Sequence, residues 1–424
     1  MTSLRIAPWQ AILVIVLVSF VTVALEFPHG PWLATAPLSL ACGVAALALM
    51  ASAAILSARG SLSELMFGGL DRMYEAHKWF GISALSLASV HLLFKAGMPS
   101  WDTAAILSLP PDWTRLVRQA SFVGLMLIVV LSLNRKIPYN SWRWWHRLSG
   151  PILLVVVLHA LSIKSPIALN SPAGIWMALL AGLGLIAAAY KLALYPFLSN
   201  HAEYEVVAVS PGGAAAQIDF MPSSRPVAFV PGQFGFLRMK VDGLREPHPF
   251  TIASGAAGDG RISFVIRALG DYTTKLVAEV APGMRADVYA PYGRFVRRAE
   301  AGREIWIAGG VGISPFIAWM KQGEAGGFER VTLFYLYTPS RAFPSVEALA
   351  AIAQECGVEF VPVSTGVSSP AFVDRFSEIV KQSDVAALDV ALCGPKGVAP
   401  HVRRLMQQHG VADANLRYEV FEFR

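Results

Sequence analysis

Residues 77–91 read HKWFGISALSLASVH, and residues 146–159 read HRLSGPILLVVVLH. Each stretch sets two histidines, 14 and 13 positions apart, at the ends of a largely apolar run. Ionisable residues inside such runs are rare and usually functional. A helix rises about 1.5 Å per residue, which puts the members of each stretch about 20 Å apart. Two helices with two histidines each allow two cross-helix pairs, His77 with His146 and His91 with His159. Each pair can ligate one iron through neutral imidazole, so the reading is two stacked bis-His b-type haems. A single histidine in a span can equally be a polar residue packed between helices; four in two matched pairs favour ligation. The rotation is uneven. At about 100° per residue, 14 residues return to within ~40° of the starting face, whereas 13 leave His159 ~140° from His146. Gly150-Pro151 lies between them, and proline breaks a helix hydrogen bond and kinks the axis; a kink there could re-aim His159, which the sequence does not decide.

The surrounding chain supports a membrane setting. Of its 424 residues 54% are apolar and only 15% charged, against roughly 25% charged in a soluble domain. Residues 1–200 carry 13 Lys and Arg against 6 Asp and Glu, while residues 201–424 carry 22 against 23. The positive excess thus belongs to the apolar half and signals membrane topology, not nucleic acid. Six apolar stretches approach the ~20 residues of a bilayer span: about 9–27, 35–57, 77–97, 115–133, 142–163 and 173–195. The first lacks a small-residue cleavage site and is read as retained. Arg59 and Arg72 lie between spans two and three, and Arg135, Lys136, Arg143 and Arg147 between spans four and five. The segment after span one has no Lys or Arg, and that after span five has only Lys164. Lys95, Arg115 and Arg118 blur the loop before span four. The positive-inside rule then places both termini and residues 196–424 in the cytoplasm. His29, near an outer loop, reads as a surface residue.

Cys42, Cys356 and Cys393 lie far apart. No Cys-x-x-Cys pair supports a zinc or iron–sulfur site, and no CxxCH motif supports covalent haem. Free thiols suit a reducing compartment for the second half.

From His201 the texture changes. EYEVVAVS, FGFLRMKV and RISFVIRAL alternate and are broken by Gly and Pro, as in an antiparallel β-barrel. After about residue 298 the strands EIWIAGG, VTLFYLY, EFVPVST and DVALCGP alternate with helical stretches, the pattern of a doubly wound parallel sheet. The expected domains are 1–198, a six-span helical bundle; 199–299, the antiparallel barrel; and 300–424, a Rossmann-like α/β domain.

His248-Pro249-Phe250-Thr251-Ile252-Ala253-Ser254 resembles the flavin motif of the ferredoxin-reductase superfamily, in the variant used by NADPH oxidases and ferric reductases. There the hydroxyl at the Thr251 position approaches the isoalloxazine. PGQFGFLRM (231–239) is similar to the strand that precedes that motif. LGDYTTKL (269–276) is similar to the stretch that holds the FAD pyrophosphate, and Gly270, Thr273, Thr274 and Lys275 suit an anion. A barrel strand followed by a glycine turn is the plainer alternative. Next, Gly309-Gly310-Val311-Gly312-Ile313-Ser314-Pro315 follows the strand EIWI and opens a helix. Glycines there let the chain turn sharply and let phosphate reach backbone N–H groups.

Cys393-Gly394-Pro395 ends a later strand; the resemblance puts it beside the nicotinamide, although Cys393 can equally be a buried apolar thiol. Ser340-Arg341 resembles the 2′-phosphate site of NADPH enzymes, which favours NADPH over NADH; a solvated loop arginine is the alternative. Phe421 matches the terminal aromatic that stacks on flavin in such enzymes, or else it shares the core of a final strand with Phe423.

Taken together the chain resembles the NADPH oxidase/ferric reductase superfamily in its compact bacterial form, over almost its full length. The resemblance implies an integral protein of the bacterial inner or plasma membrane with FAD, two b haems and NADPH (or NADH) as cofactors. Electrons would run from NADPH through FAD, His77/His146 and His91/His159 to O2, giving superoxide outside. It names no obligatory protein partner. No calcium-binding extension precedes the first span, so calcium gating is not expected. Two departures stand out: Ile152, midway along span five, is aliphatic where some relatives carry an aromatic. Span two also lacks the Arg or His that oxygen-reducing members offer beside the outer haem; Arg115 and Arg118 are the available substitutes. The runner-up is a ferric-chelate reductase, followed by a donor to a quinone or periplasmic acceptor. A transporter or sensor fused to a soluble reductase is opposed by the four histidines.

Overall fold

The computed structural model describes residues 6–26, 35–94, 96–256, 258–298, 302–322 and 327–419. It forms two compact units, Met1–Ser199 and Asn200–Arg424.

The first unit is helical: α1 (Pro8–Glu26), α2 (Thr35–Ser57), α3 (Ser61–Phe67), α4 (Leu70–Leu93), α5 (Pro111–Leu133), α6 (Tyr139–His146), α7 (Ser149–Ser162) and α8 (Pro172–Ala189). A π turn at Tyr190–Leu194 leads into α9 (Tyr195–Leu198). Among the described residues five segments are long and apolar enough to cross a membrane: α1, α2, α5, Ser141–Ser162 and Pro172–Leu198. The third expected span, 77–97, overlaps α4, a helix of 24 residues that falls short of a membrane span in apolarity. Asp71, Arg72, Glu75 and Lys78 crowd its first turns.

The apolar core of this unit is α2, whose small residues Ala41, Ala45, Ala48 and Ala51 are buried. Small side chains let helix backbones approach closely in lipid. Gly184 of α8 shows how closely, since a Cβ there would lie 2.8 Å from Ala51 Cα. The start of α8 is capped by Ser171, whose Oγ accepts from Gly174 N–H at 3.2 Å, an interaction worth about 1 kcal/mol.

The fifth expected span breaks one turn earlier than its proline. Pro151 lies inside α7 and has no N–H to offer Arg147 O, four residues back, while its ring crowds that carbonyl. The helix accordingly loosens at Arg147 and Leu148; Leu148 N–H turns to Trp145 O, three residues back, at 3.0 Å.

The second unit begins with an antiparallel sheet of β1 (His201–Gly212), β2 (Ala215–Pro222), β3 (Phe234–Met239), β4 (His248–Thr251), β5 (Ile262–Arg267) and β6 (Arg285–Tyr292), with α10 (Asp271–Glu279) before β6. The strand order is β4-β3-β6-β1-β2-β5. A bridge between Ile252 and Phe264 joins its two edges, so the sheet nearly closes into a barrel. Tyr204, Ile218, Phe220, Leu237 and Phe264 fill the interior.

A parallel sheet follows: β7 (Arg303–Gly309), α11 (Ser314–Gln322), β8 (Val331–Leu336), α12 (Val346–Cys356), β9 (Glu359–Val363), α13 (Pro370–Lys381), β10 (Leu388–Cys393), α14 (Val398–Gln408) and β11 (Leu416–Glu419). Every residue of β8 and β10 is buried, as expected of a parallel sheet covered on both faces. The order β11-β10-β7-β8-β9 puts the reversal of strand order between β7 and β10. Ligands of doubly wound sheets bind at that reversal, beyond the carboxyl ends of the strands.

Candidate functional site

In the membrane unit the four histidines meet across helices as two pairs. The ring centres of His77 and His146 are 5.8 Å apart, and those of His91 and His159 are 6.4 Å apart. The α6/α7 interruption supplies the rotation that a continuous helix lacks.

Three of the four rings are held by their Nδ1 atoms. His77 Nδ1 donates to Ala53 O at 2.9 Å, and His91 Nδ1 donates to Ser39 O at 2.8 Å. Both acceptors lie on α2, 14 residues apart, matching the spacing of the α4 histidines. Ser132 Oγ donates to Ile128 O at 2.6 Å, so it accepts from His146 Nδ1 at 3.0 Å. Trp142 stacks on His146 with centroids 5.1 Å apart. His159 Nδ1 is buried without a hydrogen-bond partner. Gly43 makes room for His91, because a Cβ there would come within 2.9 Å of Nδ1.

A hydrogen bond at Nδ1 fixes the tautomer and leaves Nε2 free for a metal. Among the described residues no three His, Cys, Asp or Glu side chains group around one point. Two imidazoles are too few for a protein-only metal cage, which needs at least three protein ligands. They would supply the two protein ligands of a haem iron, so the residues present fit haem. Ile152 packs on α5, where a Cβ at Gly124 would lie 3.1 Å from its Cγ1. Arg118 is exposed on α5 and within electrostatic reach of His159.

In the second unit β4 carries HPFT into the barrel wall, paired with β3 through Phe234↔Thr251 and Leu237↔His248. Thr251 is buried, and its Oγ1 has no hydrogen-bond partner. Such an orphaned hydroxyl fits a polar ring edge supplied by a flavin. His248 stacks on Tyr272 with centroids 3.7 Å apart, and Phe250 packs on Phe264. Burial raises the Tyr272 hydroxyl above its ordinary value, and the Glu246 charge adds to this.

Other members of these motifs are engaged within the protein. Ser254 Oγ accepts from Ser263 N–H at 3.1 Å. Gly270 caps α10, and Thr273 Oγ1 accepts from the N–H groups of Leu269 and Gly270 at 2.9 and 3.1 Å. Lys275 leans on Asp242 O and Glu279. Thr274 is exposed.

The loops after β7 and β10 touch backbone to backbone. A Cβ on Gly309 would lie 2.7 Å from Pro395 Cδ, and one on Gly312 would lie 2.2 Å from Cys393 O. Gly310 has φ 56°, a left-handed conformation suited to glycine. Ile313, Ser314 and Pro315 are buried at the start of α11, and Ser314 Oγ donates to Val311 O at 2.8 Å. Cys393 is fully buried and pairs in register with Glu419. Burial, then the Glu419 charge, pushes its thiol well above the usual range. Glu419 was not marked by the sequence; only its strand register brings it to Cys393.

Arg267 is a second residue the sequence passed over. From the end of β5 its Nη2 donates to Arg341 O at 2.5 Å. Its Nη1 would lie 3.4 Å from a Cβ on Gly310. One guanidinium thus spans the glycine turn and the Ser340-Arg341 turn. Phe421 lies outside the described residues, as do Phe423, His29 and Lys95.

Comparison with known proteins agrees with this division. The family "Ferric reductase like transmembrane component" matches residues 42–157, and "FAD-binding domain" matches residues 205–305. The chain belongs to the NADPH oxidase/ferric reductase superfamily. Among curated members and relatives, the "Toluate 1,2-dioxygenase electron transfer component" of Pseudomonas putida is 28% identical over 209 residues, 47% of this chain and 60% of that one. The "Probable cell surface ferric reductase kap2" of Aspergillus oryzae is 24% identical over 331 residues, 72% of this chain and 43% of that protein. This superfamily member therefore spans about half the length of those relatives. The solved "Ferredoxin reductase in carbazole 1,9a-dioxygenase" superposes with a TM-score of 0.44 at 21% identity, covering 53% of this chain and 70% of that one.

Proposed function

We propose that the protein is a transmembrane NAD(P)H oxidase. It draws electrons from cytoplasmic NADPH through FAD and two bis-His b haems and gives them to O2 on the other side as superoxide. The observation that carries this reading is the pair of cross-helix histidine pairs within a ferric-reductase-like membrane component, followed by an FAD-binding domain. A flavin supplies the step from a two-electron hydride to single electrons, which joins nicotinamide to haem.

The chain's own residues have distinct tasks. Ala53, Ser39 and Ser132 orient three imidazoles. Thr251 offers its unpaired hydroxyl to the flavin ring. Gly309, Gly310 and Gly312 open the backbone to the dinucleotide phosphates, with Arg267 and Arg341 supplying positive charge. Cys393, held neutral, provides an apolar wall for the nicotinamide. The positive-inside pattern supports a cytoplasmic side for both termini.

Residue Leu109 together with α5 (Trp113, Leu116, Val117, Ala120) and the half of α7 that carries His159 (Val155, Leu158) lines a groove of about 360 Å3. An all-apolar lining suits a small neutral acceptor better than a charged chelate. The Aspergillus relative, whose description is a ferric reductase, favours the second reading, a ferric-chelate reductase with the same electron path.

The deciding experiment is NADPH-driven cytochrome c reduction by the purified, FAD-supplemented protein, with and without superoxide dismutase. Strong inhibition by the dismutase supports the oxidase. Insensitivity, together with anaerobic reduction of ferric chelates, moves the protein to the reductase reading.

A further inference from the structure

The β1–β2 hairpin of the barrel carries two glycines at its tip, and the turn needs only one of them. Gly213 has φ 64°, in the left-handed region that favours glycine. Gly212 is the last residue of β1 and has no positive φ, so its backbone would accept a residue with a Cβ. What a side chain would meet there lies outside the barrel. A Cβ on Gly212 would fall 1.7 Å from Cδ2 of Phe343 and 2.1 Å from its Cε2. The bare backbone is a seat for an aromatic ring that arrives from the parallel-sheet domain.

Phe343 belongs to the connection after β8 that also carries Ser340-Arg341. The barrel holds that connection at a second point, where Arg267 Nη2 donates to Arg341 O at 2.5 Å. The two barrel residues are neighbours. Gly212 pairs with Ala215 and Ala215 with Arg267, so all three stand in one row across β1, β2 and β5. A single row at the barrel's end thus meets residues 341 and 343 of one turn. The contact at 341 uses the main-chain carbonyl, and Arg341 itself is exposed.

An arginine on an unsupported turn loses backbone as well as side-chain freedom when it meets an anion, and that cost is subtracted from affinity. A turn fixed at 341 and 343 has lost the backbone part of that freedom in advance. We propose that Phe343, seated on Gly212, is a positioning residue that fixes the Ser340-Arg341 turn for the 2′-phosphate of NADPH. The barrel thereby sets the dinucleotide preference of the domain that follows it. This rests on the reading of Arg341 as the phosphate contact.

The test uses the full-length, FAD-supplemented protein in detergent, with anaerobic flavin reduction followed for NADPH and for NADH. Adenosine 2′,5′-bisphosphate, which carries the 2′-phosphate without the nicotinamide, is compared with 5′-AMP as a competitor. Phe343→Ala is expected to raise KM for NADPH about fivefold, or about 1 kcal/mol, and to weaken the bisphosphate in proportion. KM for NADH, competition by 5′-AMP and the limiting rate of flavin reduction should stay near the wild type. Phe343→Leu, which refills the seat, should recover most of the loss. Gly212→Ala, which evicts the ring from the other side, should repeat it, and gives the reading if Phe343→Ala does not retain flavin.

A double variant asks whether Phe343 acts through Arg341. Residues that work as one unit are not additive, so Arg341→Ala with Phe343→Ala should be no worse toward NADPH than Arg341→Ala alone. Additive losses overturn the proposal, as do equal losses with NADPH and NADH. Unchanged kinetics in both Phe343→Ala and Gly212→Ala, with full flavin content, overturn it too. The underlying reading fails separately: a wild type that binds the bisphosphate no tighter than 5′-AMP would remove the phosphate role of Arg341 before any variant is compared.

Discussion

The two units prepare their sites by opposite means. In the membrane unit the chemistry lies in side chains, and neighbouring backbone holds them: α2 offers the carbonyls of Ala53 and Ser39 to two imidazoles of α4. In the second unit it lies in backbone, and missing side chains expose it: Gly309, Gly312 and Gly394 let two strand ends meet. The difference follows from what each unit would bind. A haem iron is met by an imidazole nitrogen lone pair, which a histidine side chain supplies. A phosphate is met by N–H groups the chain already carries, provided nothing covers them. Damage to the first kind of site should remove a ligand, and damage to the second should block an approach.

The largest expected effect tests that statement in the membrane unit. His91→Ala or His159→Ala should each lose one of two haem equivalents and abolish transmembrane electron transfer, while NADPH still reduces the flavin. Haem content and anaerobic flavin bleaching check this in one sample. Two full haem equivalents in either variant would refute the ligand assignment.

Adding one methyl group to each unit sharpens the comparison. Gly43→Ala places a Cβ 2.9 Å from His91 Nδ1 and should displace that ring, with partial loss or spectral change of one haem. Gly312→Ala places one 2.2 Å from Cys393 O. Overpacking of this kind costs about 1–3 kcal/mol, and NADPH-driven flavin reduction should fall while the haem spectrum stays intact. Gly182→Ala, with open space around it, is the control for helix propensity. Equal losses in both units from either variant would show that the two sites are not separable.

How much of this was legible in the sequence follows from the same contrast. Histidine is rare inside apolar helices, so four at matched spacing announce themselves. Their supports do not, since a backbone carbonyl such as Ala53 O has no sequence signature. Gly150-Pro151 marked a place where a kink could re-aim His159, but neither the re-aiming nor its place was legible: the break falls at Arg147–Leu148 because a proline disturbs the carbonyl four residues before it. The third expected span was read as an apolar stretch over 77–97; the helix starts earlier, at Leu70, and its charged first turns keep α4 from the apolarity of a membrane span. Glycine turns are visible as motifs, so the β7 and β10 loops were found. Glu419 and Arg267 were missed because their importance lies in register and in a long side chain crossing from the barrel.

A smaller effect is expected at Arg341. A guanidinium that recognises the 2′-phosphate of NADPH contributes to one dinucleotide and not the other. Arg341→Ala should raise KM for NADPH about tenfold, or about 1.4 kcal/mol, and leave KM for NADH nearly unchanged. Parallel loss with both dinucleotides would make Arg341 a support for Arg267, which it meets through its carbonyl, with no part in phosphate selection.

The smallest effect concerns the thiol at the meeting of the β7 and β10 loops. Burial and then the Glu419 charge hold Cys393 above the ordinary thiol value, which is about 8.5. The folded protein therefore keeps its proton where the unfolded chain has begun to lose it. Between those two values the folded state binds more protons, so this group's stabilising contribution is complete below about pH 8.5 and falls as the pH rises further. Alkylation at pH 9 should accordingly reach Cys356, which is partly exposed, well before Cys393. Adding denaturant should bring the two rates together. Rapid labelling of Cys393 in the folded protein would mean that the wall at the switch point opens to water, and its role as an apolar surface for nicotinamide would fall with it.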